Sequence, residues 1–133
     1  MIELVSMEDE FSLWFQKAKE SLDDAISSLE SHRYGLTAFC CQQALEKLLK
    51  AAVIKLKNQR PRKIHDLLPL LKDSGLKISE ESTAEIAKIS KFYFLVRYPD
   101  ISRKFFATPE VAKQTLEKTK EVFLWIENKL KKS

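Results

Sequence analysis

Three separated groups of polar residues have the types and spacing to do chemistry. In CCQQALEKLLKA, residues 40–51, Gln43, Glu46, Lys47 and Lys50 recur at three- and four-residue steps, so on a helix they share one side of the cylinder. That stripe has two readings: an ordinary wet face on which Glu46 and Lys50 pair, or a surface built for a ligand. Gln42 and Gln43 add amides that both donate and accept, which bundles use to satisfy buried polar partners. His65 follows Arg60, Arg62 and Lys63 and precedes Asp66. An imidazole among cations is a poor metal ligand but suits hydrogen bonding to phosphate or general acid–base work; the alternative is a capping or core-satisfying histidine. In RYPD, Arg97 offers a planar fork to phosphate or carboxylate and Tyr98 a ring for stacking, unless Arg97 and Asp100 pair across a rigid turn.

Other chemistries lack their residues. There is no Gly-rich phosphate loop, no pair of carboxylates in an evident cleft, and no Ser or Cys nucleophile with an identifiable base. Cys40 and Cys41 are adjacent in an apolar run, and neighbours on a helix point about 100° apart, so they cannot pair with each other. With no Cys/His cluster at metal-ligand spacing, no metal or resident cofactor is expected, and the thiols are read as space-fillers in a reducing cytosol. No apolar stretch approaches the ~18–20 uncharged residues of a membrane span. The opening MIELVSMEDE is acidic where a targeting peptide would be basic. These features predict a soluble, cytoplasmic protein.

The elements that must position these groups follow from composition and period. A chain of 133 residues, 44% of them hydrophobic, suffices for one core, and a single domain over 1–133 is expected. Only 2 Gly and 4 Pro leave few turn residues for a sheet, which points to an all-α fold. The net charge of +4 is unevenly spread: residues 1–31 hold eight acids against Lys17 and Lys19, whereas residues 47–65 hold seven Lys or Arg and no acid. Cations at a helix end explain part of that run; Arg60, Arg62 and Lys63 in the loop fit an anionic partner.

Ser6 caps a first amphipathic helix over 7–32, with Phe11, Trp14, Phe15, Ala18 and Leu22 on its apolar stripe. The break HRYG, residues 32–35, leads into a second helix running to about Leu56, and so short a connection predicts an antiparallel hairpin. Asp66 caps a short helix that stops near Gly75, and Ser79 starts another that runs to about Val96. Pro99 forces Tyr98 out of helical geometry, so 97–106 reads as a polar, aromatic loop. Thr108 and Pro109 then open a last helix ending near Leu130. The expected sum is a bundle of four longer helices and one short one, without internal repeats or linkers.

Trp14-x3-Ala18-x3-Leu22, FCCQQALEKLLKA, His65-Asp66-Leu67 and Arg97-Tyr98-Pro99-Asp100, in this order, resemble the HEPN domain, a family of higher eukaryotes and prokaryotes with a proposed nucleotide-binding role. The resemblance spans nearly the whole chain. It implies an up-and-down antiparallel helical bundle, commonly a homodimer, that binds a nucleotide such as ATP and acts beside a minimal nucleotidyltransferase in a toxin–antitoxin type pair. Carried over by position, the motif residues are Gln43, Glu46, Lys47, Lys50, His65, Asp66, Arg97, Tyr98 and Asp100, some of which serve the fold or dimer.

A second branch of the superfamily consists of metal-independent ribonucleases in which an Arg, a short spacer and a His act on the scissile phosphate. Arg60-Pro-Arg-Lys-Ile-His65 has that spacing, although Pro61 replaces a usually polar residue and the motif belongs on a later helix; Arg97 has no histidine downstream. Three functions are thus expected in order. The first is a nucleotide-binding and partner-docking module in which Lys47, Lys50 and Arg97 neutralise phosphates. The second is an RNA-cleaving enzyme using Arg60 and His65. The third is an interaction bundle that docks a partner through exposed aromatics such as Phe105 and Phe106.

Overall fold

The Ser6 hydroxyl accepts a hydrogen bond from the Asp9 backbone N–H at 3.1 Å, and with Glu8, Asp9 and Glu10 in the first turn it starts helix α1, Met7–Glu30. This is a computed structural model that describes residues 6–133; residues 1–5 of the acidic N-terminal stretch lie outside the described residues. Six further helices follow, α2 (Tyr34–Lys57), α3 (Leu67–Ser74), α4 (Glu80–Ser90), α5 (Phe92–Leu95), α6 (Pro99–Phe106) and α7 (Glu110–Lys131). The fold is all-α, and the described residues contain no strand.

α1 and α2 form the expected hairpin and share the most extensive interface of the molecule. The chain reverses at His32, whose φ of 60° is left-handed, not at the glycine. Ser28 and Thr37, their hydroxyls 2.9 Å apart, bolt the two helices together just below that turn. Gly35 instead lies in the first turn of α2, where a Cβ would stand 3.3 Å from Ser102 Oγ and 3.7 Å from the Phe106 ring. Its bare backbone lets α6 close onto α2.

α2 is the central element, with Leu45, Leu48 and Leu49 fully buried among α1, α3, α4 and α7. Each such side chain contributes about 1.5–3 kcal/mol on burial. α3 is capped by Asp66, which accepts from the Leu68 N–H, and ends at Gly75 with φ 74°. α7 packs along α2 and reaches α1 through Lys19 and Glu127, 3.3 Å apart.

The segment 97–106, read from the sequence as a loop, departs most from expectation. Pro99 does end the preceding helical run, but it occupies the first turn of a new helix, α6, where its fixed φ is favourable and its missing N–H costs nothing. Among the described residues there are therefore seven helices in place of the five expected, because the run over 79–96 also divides at Lys91 into α4 and α5. α6 buries Phe106 against Phe92 and Ala38 in a small second core. Of the two aromatics expected at the surface, only Phe105 is exposed. α7 begins at Glu110 after an uncapped Pro109, one residue later than expected. Thr108 instead bonds the Glu110 side chain, which holds that exposed carboxyl below its ordinary range.

Candidate functional site

Glu46 is the residue around which the motif is built. Its side chain is 5% exposed and its carboxylate takes four side-chain partners. Oε1 receives Gln42 Nε2 at 3.3 Å, Gln43 Nε2 at 3.4 Å and His65 Nδ1 at 3.1 Å. Oε2 receives Lys50 Nζ at 3.2 Å. A carboxylate taken from water needs its lone pairs filled, and this one has them filled from two directions along α2 and from the loop before α3.

The stripe on α2 is consequently neither a wet face nor an open ligand surface. Lys50 is almost entirely buried, pairing with Glu46 and lying 5.0 Å from the centre of the Trp14 ring. In that position it cannot meet a phosphate in solvent, so the expected phosphate contact gives way to an internal charge pair. Lys47 donates to the buried Ser21 hydroxyl at 2.9 Å and thereby ties α2 to α1. Gln42 donates to the His65 carbonyl at 2.8 Å as well as to Glu46, and its own oxygen accepts from Gln43 Nε2 at 2.8 Å. One buried amide thus fixes both the backbone of His65 and the partner of its ring.

His65 leaves this network and enters the surface. Its side chain is 47% exposed and its ring stacks on Tyr93 with centroids 4.0 Å apart and planes 15° from parallel. Since an ionised Glu46 has no proton to offer, the hydrogen of the pair sits on Nδ1, and in the neutral ring the lone pair is on Nε2. Nε2 has no hydrogen-bond partner among the described residues. The Arg97 guanidinium carbon lies 4.1 Å from the same Tyr93 ring centre and 5.6 Å from that of Phe39, and Arg97 donates to the Tyr93 carbonyl. Two groups each centred about 4 Å over one ring cannot share a face, so His65, Tyr93 and Arg97 form a three-layer stack. Beside it a cavity of about 370 Å³ is lined by Gly35, Leu36, Phe39, Val96, Arg97 and Ser102.

The remaining motif residues divide by role. Asp66 accepts from Ser90 Oγ at 3.0 Å while Ser90 accepts from the Leu67 N–H at 2.9 Å, which clamps the start of α3 to the end of α4. Asp100 lies in the exposed first turn of α6, and no ion pair joins it to Arg97 among the described residues. Tyr98 is 55% exposed. The two loop arginines are engaged away from His65: Arg60 pairs with Glu10 at 2.8 Å and Arg62 grips Asp73 through two nitrogens. Arg60 and His65 therefore face different partners, at α1 and α2.

Gln42, read from the sequence as an amide suited to satisfying buried polar partners, does so here, whereas Tyr93 and Phe39 complete the site without having been singled out as site residues. Tyr93 is four residues before Arg97, so a one-turn helical spacing was available as a signal for it. Cys40 and Cys41 are buried and not bonded to each other, and burial pushes the Cys41 thiol up to about 12 and the Cys40 thiol upward. Among the described residues no group of His, Cys, Asp and Glu is arranged to hold a metal, and no helix is long and apolar enough to cross a membrane.

Comparison with known proteins returns no match among curated proteins. Among solved structures, the crystal structure of TT1696 from Thermus thermophilus is similar, with 26% identity, a TM-score of 0.77, and coverage of 90% of this chain and 97% of that one. The HEPN domain family model matches residues 11–129, a span that holds both the Glu46 network and the Arg97 stack, and the chain thus belongs to the HEPN domain family.

Proposed function

We propose that this chain is a nucleotide-binding and partner-docking module whose binding surface is the stack of His65, Tyr93 and Arg97. The observation that carries the reading is an exposed imidazole and an exposed guanidinium held on one ring, the imidazole anchored from behind by a buried carboxylate. Such a surface recognises phosphate through Arg97 and a hydrogen-bonding group through His65 Nε2. The exposed Tyr98 ring offers a face for a base, and the cavity along Phe39 and Arg97 gives it room. Glu46, Lys50, Gln42 and Gln43 act behind the surface as positioning residues; Asp66 holds the loop that carries His65.

The partner in this reading is a minimal nucleotidyltransferase, in a toxin–antitoxin type pair in the cytoplasm, with the bundle itself a homodimer. Family membership supports it. The test is calorimetric titration of the chain with ATP beside Arg97→Ala and His65→Ala. Saturable binding weakened at least tenfold in both variants is the expected result; equal affinity in all three overturns it.

A second reading, a metal-independent ribonuclease, is favoured by one observation. The Glu46–His65 pair leaves Nε2 as a free acceptor at the surface, the arrangement a general base requires. In that reading Arg97, on the same ring as His65, takes the phosphate, because Arg60 is engaged with Glu10. RNA cleavage in excess EDTA that vanishes in His65→Ala supports this reading, and cleavage that survives the substitution removes it.

A further inference from the structure

A second concavity lies where α5 turns its other side to α4, α6 and α7. It encloses about 440 Å³, within the roughly 300–1,000 Å³ of small-molecule pockets, and none of the motif residues lines it. Phe92 and Leu95 of α5, Ile89 of α4, Phe105 of α6 and Val111 of α7 give it an apolar floor. Phe105 is 40% exposed although it belongs to a helix whose neighbouring Phe106 is buried.

The rim is polar and mostly cationic, with Lys88, Lys91 and Lys118 against Glu85 and Glu117. Two of these lysines already have acids, Lys88 with Glu85 at 3.7 Å and Lys118 with Glu121 at 3.6 Å. Lys91, Gln114 and Thr115 carry no side-chain hydrogen bond or ion pair to another described residue, and neither does Glu117. An ammonium, an amide and a hydroxyl therefore stand without partners above an apolar floor. One rim acceptor, Glu117, opposes them, and the rim keeps an excess of one positive charge.

We infer that this cavity is a binding site for an amphipathic anion, a medium-chain aliphatic carboxylate. The chain lies on Phe92, Leu95 and Val111, where burial of apolar surface drives binding, and the carboxylate is taken by Lys91 with Gln114 and Thr115. The inference does not depend on a nucleotide binding elsewhere, since its residues and its ligand are separate from those of the His65 stack.

The test is isothermal titration of the whole chain with sodium decanoate below its micellar concentration, with decylammonium as the charge control. Saturable one-site binding is expected, with decylammonium at least tenfold weaker. Val111→Trp, which fills the cavity, should weaken decanoate binding at least tenfold with unchanged circular dichroism. Lys91→Glu, a surface change, should weaken it severalfold and decides the matter if Val111→Trp fails to fold. Absence of saturable heat, equal binding of decylammonium, or affinity unchanged in Lys91→Glu overturns the inference. So does a sedimenting dimer that Leu95→Glu dissociates in a chain to which decanoate does not bind, since the cavity would then belong to a second copy.

Discussion

Glu46 Oε1 and His65 Nδ1 lie 3.1 Å apart across the boundary of the molecule, the carboxylate side chain 5% exposed and the imidazole 47%. A charge held in the interior thereby sets the position of a ring at the surface. The same carboxylate also neutralises Lys50, so the network that orients His65 is inseparable from one that stabilises α2. Removing a member should disturb both stability and the surface, to degrees that separate the roles.

Glu46→Ala leaves the Lys50 ammonium buried without its acid. The expected loss is about 3–5 kcal/mol in urea denaturation, the range for one partner removed from a buried pair. Lys50→Met on that background removes the uncompensated charge and should restore most of the stability. A double-mutant cycle reads the coupling, and a double variant no more stable than Glu46→Ala would show that Lys50 is not what the carboxylate compensates.

Arg97→Lys keeps the charge but not the planar fork that lies over Tyr93 and Phe39. If the stack binds ATP, Arg97→Lys should fall close to Arg97→Ala, roughly tenfold or more below the parent in calorimetry, since hydrogen bonds to charged groups are worth about 1.5–3 kcal/mol. Full retention of affinity by lysine would reduce the role of Arg97 to charge alone.

The cysteines should behave as core. At pH 8 a thiol-specific disulfide reagent should label neither Cys40 nor Cys41 in the folded chain, and both on addition of denaturant. Burial raises the Cys41 thiol from an ordinary value of 9.0 to about 12. The folded state thus retains a proton that the unfolded state releases, so this contribution to stability is whole below pH 9 and is lost as pH rises toward 12. Cys41→Ala should flatten that alkaline fall in urea midpoints measured between those limits.

Gly75→Ala tests the end of α3. The backbone there is left-handed, and an added Cβ would stand 2.5 Å from Lys57 Cε. The lysine stem can swing aside but the backbone cannot, so a loss of about 1–2 kcal/mol is expected in thermal or chemical unfolding. An unchanged midpoint would mean that the turn relaxes into another conformation.

How much of this was legible beforehand depended on whether the cause was local. Ser6, Asp66 and Ser79 act as caps because a short side-chain oxygen reaches the backbone of its own first turn, wherever the helix packs. The apolar period over α1 and α2 predicted their hairpin for the same reason, although the reversal fell at His32 and freed Gly35 to admit α6. At Pro99 local logic was ambiguous. A proline that stops one helix is equally suited to start the next, and only the burial of Phe106 against Phe92 and Ala38 selects the second outcome for α6.

By itself, then, the sequence determined the all-α class, the α1–α2 hairpin, the caps and the family motifs, because periodicity and capping are written within a few residues. Only the tertiary structure decided that the polar stripe of α2 faces inward, since a helix cannot state which of its sides a neighbour will cover. It also decided that Gln42 reaches the His65 carbonyl and that Tyr93 receives His65 on one face and Arg97 on the other. Those contacts join α2, the loop before α3 and the segment around α5, and their geometry exists only once the leucine core of α2 has brought the three together.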